Sequence, residues 1–199
     1  LFKSVLFSPN HVALGQDGID LPAQLWILWW DNHPQRDQLV NVPFGNIHFY
    51  VLTPIHNWLA KMLYPNVILG HNIVSWFGLA LSAIAGGMMG RRFTNHRLGV
   101  CFGCLALISC APLLAAFQDG TGEFIWVGCL GFCLLYVDKL REAPSLRNGV
   151  GLSIALTVTI LCSWYYGAAG LILTLVIALY FKGSRLAALA CISVSILAS

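Results

Sequence analysis

"CSWYYGAAG", Cys162 to Gly170, interrupts an otherwise apolar run from residue 149 to residue 181. A single helix over that run would reach about 50 Å at 1.5 Å per residue, well beyond a hydrocarbon core of about 30 Å. Three aromatics suited to headgroup depth, followed by glycines, mark an interfacial break instead. With a break there, the loops 91–97, 139–147 and 182–185 all fall on one side of a membrane. Those loops hold Arg91, Arg92, Arg97, Lys139, Arg141, Arg147, Lys182 and Arg185, eight of the eleven basic residues. The positive-inside rule makes that side cytoplasmic. Without the break, the 182–185 loop would lie on the wrong face, so the stretch predicts two helices.

Composition places the chain in a bilayer before any motif is read. It is 58% hydrophobic and 10% charged, with a mean hydropathy of +0.75, whereas soluble domains carry about 25% charged residues. The net charge of +3 is spread over scattered basic residues. A nucleic-acid partner needs a clustered basic face, so that class is excluded. The seven cysteines lie in apolar segments. Cys101 and Cys104 form a CxxC with no second ligand pair nearby, and they read as small packing residues rather than a metal or redox site.

Outward from the break, apolar segments cover roughly 66–90, 98–118, 124–138, 149–163 and 167–181, and a further one begins at 186. A spanning helix needs about 20 apolar residues. The first two segments meet this. The next three are short and require aromatic ends, local thinning or burial among other helices. The expected fold is an all-α polytopic membrane bundle over 66–199, with residues 1–65 as an extracytoplasmic cap of short interfacial helices. The ends read as those of a piece, with a membrane helix ahead of Leu1 and others beyond Ser199.

The extracytoplasmic face receives residues 1–65, the 118–123 loop "QDGTGE" and the "SWYYG" turn. It holds six of the eight acids, Asp17, Asp20, Asp31, Asp37, Asp119 and Glu123, together with His11, His33, His48 and His56. His71 lies near the same face. Within the cap, "LPAQLWILWW" carries Leu21, Leu25, Leu28 and Trp29 at helical spacing. "TPIHNWLAKMLYP" reads as a second short helix with Pro54 at its first position. Its apolar stripe is Ile55, Trp58, Leu59 and Met62, with Asn57 and Lys61 facing away. Both helices suit the membrane interface.

The ordered features resemble the multi-spanning glycosyltransferases of the GT-C class. An acidic motif stands in a long first outer loop, "GQDGIDLPAQLWILWW". Interfacial helices follow, then "YPNVILGHNIVSWFGLALS" as a returning helix, "RRFTNHRLG" inside, "CAPLLAAFQDGTGEFIWVG" outside, and a short helix pair joined at "SWYYG". The resemblance implies sugar transfer from a polyprenyl-phosphate-linked donor to an extracytoplasmic acceptor. The implied base is a first-loop carboxylate, Asp20 or Asp17, whose pKa partial desolvation would raise toward neutrality. The donor's phosphate then needs a cation: Lys61, Arg36, His56, His71, or a divalent metal, Mg or Mn, held by Asp17 and Asp20. Asp119 and Glu123 share the outer face and could reach the same pocket. Trp164, Tyr165 and Tyr166 are interface anchors or a platform for a sugar ring. The implied partners are the lipid-linked donor, membrane lipids and other membrane subunits.

Plainer readings stand beside these. Asp20, ahead of Pro22, has the form of a helix N-cap, and Asp17-Gly18 is a turn dipeptide. Asp119 and Glu123 read equally as solvated acids in a tight loop. His71 is an ionisable group in an apolar span, which signals function by default, or else it reaches the headgroups. The rival function is a non-catalytic membrane subunit of a larger complex, docked through its tryptophan-rich cap. A transporter fits less well, because no segment carries a charged residue near its middle.

Overall fold

The structure is a computed structural model of the chain. It describes residues 7–15, 54–122 and 124–180, together with Leu21, Pro22, Leu25, Trp26, Leu28, Trp29, Ala190, Ile192 and Val194. The fold is all-α: no strand occurs among the described residues. The helices are α1 (Pro54–Lys61), α2 (Val67–Thr94), α3 (Arg97–Ile108), α4 (Ala111–Asp119), a 3-10 turn (Phe124–Trp126), α5 (Val127–Glu142), α6 (Leu146–Cys162) and α7 (Trp164–Tyr180).

Local chemistry sets the ends. Asn66 caps α2 by accepting from the Leu69 N–H at 2.9 Å. Asn95 closes it in a left-handed conformation with φ of 50°, a region that asparagine tolerates better than most residues. Ser145 caps α6 through the Asn148 N–H at 3.3 Å. The expected break after residue 162 is present, with the helix ending at Cys162 and α7 starting at Trp164.

The helix α2 organises the bundle. It buries Gly70, His71, Asn72, Ser75, Gly78, Ser82 and Gly86 and exposes Ile73, Phe77, Ile84 and Met88. That is the reverse of a water-soluble amphipathic helix, which turns its apolar stripe inward. The small residues admit close neighbours. Gly86 and Gly90 of α2 meet Gly99 and Gly103 of α3 backbone to backbone, with GxxxG spacing on both helices. On another side, Gly78 lies against Ile125, Ser82 against Gly128 and Ala85 against Gly131. This steady register means that α2 and α5 run parallel. The Ser82 hydroxyl donates to the Gly78 carbonyl at 2.9 Å and accepts from the Gly128 N–H at 3.1 Å. It thereby satisfies one of the orphan N–H groups at the start of α5.

The last three helices form an antiparallel sheaf. Tyr136 faces Gly151, Cys133 faces Thr159 at 3.2 Å, Gly167 faces Ile160 and Gly170 faces Leu156. Their shared core is Cys133, Val137, Leu140, Leu152, Ala155 and Leu156. At the far end of α2 and α5, Arg92 pairs with Asp138 at 3.0 Å and with Glu142, and Arg141 pairs with Asp138 at 2.8 Å.

Two expectations need correction. The 98–118 segment is not one helix but α3 and α4, bent by 45° at Ser109–Cys110. Pro112, in the first turn of α4, has no N–H to continue the ladder and crowds the preceding turn. Ser109 adds to the break by donating back to the Leu105 carbonyl at 2.6 Å. On α1, Asn57 is buried together with His56 and Ala60 instead of sharing the face of the exposed Lys61, and the apolar stripe is split, with Ile55 and Leu59 half-buried and Trp58 and Met62 59% and 61% exposed.

Among the described residues one helix, α2, is long and apolar enough by itself to cross a membrane; α3 and α4 together also qualify if counted as a single broken span. At 1.5 Å per residue, the 28 residues of α2 reach about 42 Å. The helices α6 and α7 are apolar but shorter.

Candidate functional site

The polar interior collects at one end of the bundle, where α1, the start of α2, the 3-10 turn and residues 7–15 meet. Asn72 is the anchor. Its Oδ1 accepts from the Leu14 N–H at 2.6 Å, and its Nδ2 donates to the Pro9 and Val12 carbonyls at 2.8 Å each. The neighbouring His71 places Nε2 3.1 Å from the Leu14 carbonyl. A carbonyl only accepts, so Nε2 carries the proton and Nδ1 holds the lone pair. This Nδ1 is buried and has no partner among the described residues.

His56 reaches the same place from α1. Its ring lies 5.6 Å from that of His71, centroid to centroid, and 6.2 Å from that of Trp126 in an edge-on arrangement. His56, His71 and Trp126 are each at most 1% exposed. Both ring nitrogens of His56 and the indole N–H of Trp126 also lack partners among the described residues. Burial, with His71 alongside, lowers His56 from the usual 6.5 to about 3, so its imidazole is neutral at physiological pH. Four orphaned polar atoms in one small region are unusual, because each buried unpaired group costs about 1–3 kcal/mol.

Beside this pair stands an aromatic group. Tyr165 stacks on Phe124 with centroids 5.5 Å apart and planes at 26°, and Trp164 leans on Tyr165 at 5.0 Å. The Tyr166 hydroxyl donates to the Phe124 carbonyl at 3.1 Å, locking the α6–α7 turn onto the 3-10 turn. Trp164 and Tyr165 remain about half exposed. Gly15 and Leu21 both pack against Gly120. Gly120 takes the left-handed conformation that ends α4, with φ of 73°.

The structure therefore brings His56 and His71 together and leaves Lys61 and Asp119 exposed at the surface. Asp17, Asp20, Arg36 and Glu123 lie outside the described residues, so their expected roles are neither met nor opposed. Trp126 carries no signal of a site in the sequence. Only the fold shows it buried against His56. Among the described residues no three metal-ligating acids, histidines or cysteines cluster. No family model, curated protein or solved structure matches the chain.

Proposed function

We propose that the chain is part of a polytopic membrane enzyme of the GT-C glycosyltransferase kind. It would transfer a sugar from a polyprenyl-phosphate-linked donor to an acceptor at the extracytoplasmic end of its helix bundle. The observation that carries this reading is the inside-out character of α2, which hides glycine, serine, His71 and Asn72 and exposes Ile73, Phe77, Ile84 and Met88. Lipid tails are as apolar as those side chains, so helices in a bilayer associate through small residues and internal hydrogen bonds. In this reading α3 with α4, α5, α6 and α7 also lie in the membrane, despite the shorter lengths of several of them.

Polarity at the two ends supports the orientation. One end carries Arg91, Arg92, Lys139 and Arg141. The other carries the histidines, Asp119 and the Phe124–Tyr165 stack. The stretch bearing Asp17 and Asp20 is bracketed by Gly15 and Leu21, both of which pack on Gly120 at that second end. In this reading Asp20 or Asp17 takes the acceptor's proton as the anomeric carbon is attacked. Lys61 offers an exposed cation to the donor's phosphate, and Tyr165 offers an aromatic face to a sugar ring. His56, buried and neutral, brings no charge to that phosphate.

The test is transfer of labelled sugar from polyprenyl-phosphate donors in membranes containing the chain, with Asp20→Asn and Asp17→Asn beside wild type. Loss of transfer in one folded variant supports the reading and names the base. A second reading, a non-catalytic subunit, is favoured by the outward tryptophans of the cap: Trp26, Trp29 and Trp58 are 51%, 38% and 59% exposed. Absent transfer by wild type, with stoichiometric copurification of other membrane proteins, would establish that reading instead.

A further inference from the structure

We propose that the basic end of the bundle holds a site for one anionic glycerophospholipid of the adjoining membrane leaflet, with the lipid phosphate between Arg91 and Lys139. The site is a cavity of about 530 Å³ between α2 and α5, lined by Met88, Arg91, Arg92, Asn95, Leu135 and Lys139. Small-ligand sites span about 300–1,000 Å³, so the volume suits a headgroup. Three of the lining residues are basic, and among the described residues no acid shares the lining. The acids nearby are already neutralised. Asp138 and Glu142 pair with Arg92, and Arg141 takes the other oxygen of Asp138 at 2.8 Å. Arg91 has no ion-pair partner among the described residues. Neither has Lys139, whose ammonium lies 4.8 Å from the Tyr136 ring. The side-chain amide of Asn95, at the left-handed end of α2, adds a donor to the same lining.

Depth along the helices decides which kind of phosphate fits. Met88 stands three residues before Arg91 on α2, and Leu135 stands four residues before Lys139 on α5. Those spacings put each apolar side chain on the face of its cation, one turn or about 5.4 Å away. Because α2 and α5 run parallel, both apolar residues lie toward the middle of the bundle. The cavity therefore sets cations above an apolar wall, as a phospholipid sets its phosphate above its acyl chains. A soluble phosphate ester has no use for that wall. The guanidinium fork matches phosphate oxygens, and basic pockets between membrane helices on the cytoplasmic side take anionic headgroups. Two cations without ion-pair partners favour an anionic lipid over a zwitterionic one, whose own ammonium offsets its phosphate. The proposal rests on the membrane reading of these helices and is independent of sugar transfer.

The purified chain in an uncharged detergent is titrated with phosphatidylglycerol or with phosphatidylcholine of the same acyl chains, and bound lipid is read by native mass spectrometry. Wild type is expected to hold one phosphatidylglycerol at least about fivefold more tightly than phosphatidylcholine. Arg91→Gln and Lys139→Gln are each expected to weaken that binding about fivefold. Arg147→Gln removes the same charge at the same end but outside the cavity, and is expected to leave binding unchanged. Should one variant misfold, the other carries the comparison, and the contrast between the two lipids needs no substitution. Equal binding of the two lipids overturns the proposal, as do equal losses in Arg91→Gln, Lys139→Gln and Arg147→Gln. Glycerol phosphate in excess, a headgroup without tails, is expected to leave the lipid bound. Displacement by it would assign the cavity to a soluble phosphate ester and overturn the lipid. Alkaline carbonate extraction of membranes separates the two readings. A chain released by carbonate overturns the membrane reading and this site with it, whereas a chain that stays in the membrane without preferring the anionic lipid overturns the site alone.

Discussion

Gly86 and Gly103 stand back to back where α2 and α3 meet, each with the other's carbonyl in the space that a Cβ would occupy. No side chain at either position is compatible with this spacing. Gly86→Leu or Gly103→Val is therefore expected to push the hairpin apart and to cost at least the 1–3 kcal/mol typical of overpacking. Ile84→Ala, on the outward face and 53% exposed, leaves the α2–α3 contact untouched and is expected to cost under about 1 kcal/mol. Denaturation in mixed detergent micelles, followed by circular dichroism, checks both. Equal effects at Gly86 and Ile84 would contradict the packing described for α2.

Ser82 links α2 to α5 through one hydroxyl. Ser82→Ala removes the acceptor for the Gly128 N–H and leaves that group buried and unpaired. The expected loss is about 1–2 kcal/mol, read in the same unfolding experiment. Ser75→Ala, which removes a hydroxyl that donates to the His71 carbonyl of its own helix at 2.7 Å, is expected to cost less.

Asn72 holds residues 9–14 against α2 with three hydrogen bonds. Asn72→Ala is expected to release that segment while the bundle stays folded, because all three bonds run to the segment and none joins one helix to another. Limited proteolysis followed by mass spectrometry should show new cleavage between residues 7 and 15. A global loss of about 2–3 kcal/mol should accompany it. Unchanged cleavage would mean that other interactions hold the segment.

The separation between α6 and α7 is legible from arithmetic: an apolar run from 149 to 181 exceeds one bilayer, and the aromatics of "SWYYG" supply the interface. The bend between α3 and α4 is written in "SCAPLL", yet the 98–118 run is apolar enough to read through. The proline signal there competes with length, and only the ladder's geometry decides between them. The face of α1 misleads for a different reason. Asn57 reads as facing away from the apolar stripe together with Lys61, but in this fold it is buried with His56 where α1 packs on α2, and Trp58 is left outside. His71 draws attention as an ionisable residue in an apolar span. Its neighbour His56, in a separate helix, and Trp126, which packs on His56 from far along the chain, share no periodic signal with it.

The most direct test of the account is the sidedness of two native lysines. Lys61 ends α1 at the histidine end of the bundle, and Lys139 lies in α5 at the arginine end, with its ammonium 4.8 Å from the Tyr136 ring. Intact right-side-out cells are treated with a membrane-impermeant amine reagent, and the chain is recovered for peptide mass spectrometry. Lys61 is expected to be modified in sealed cells and Lys139 only after detergent. Lys139 modified in sealed cells, or both lysines protected until lysis, would contradict a bundle that presents its polar site to the outside.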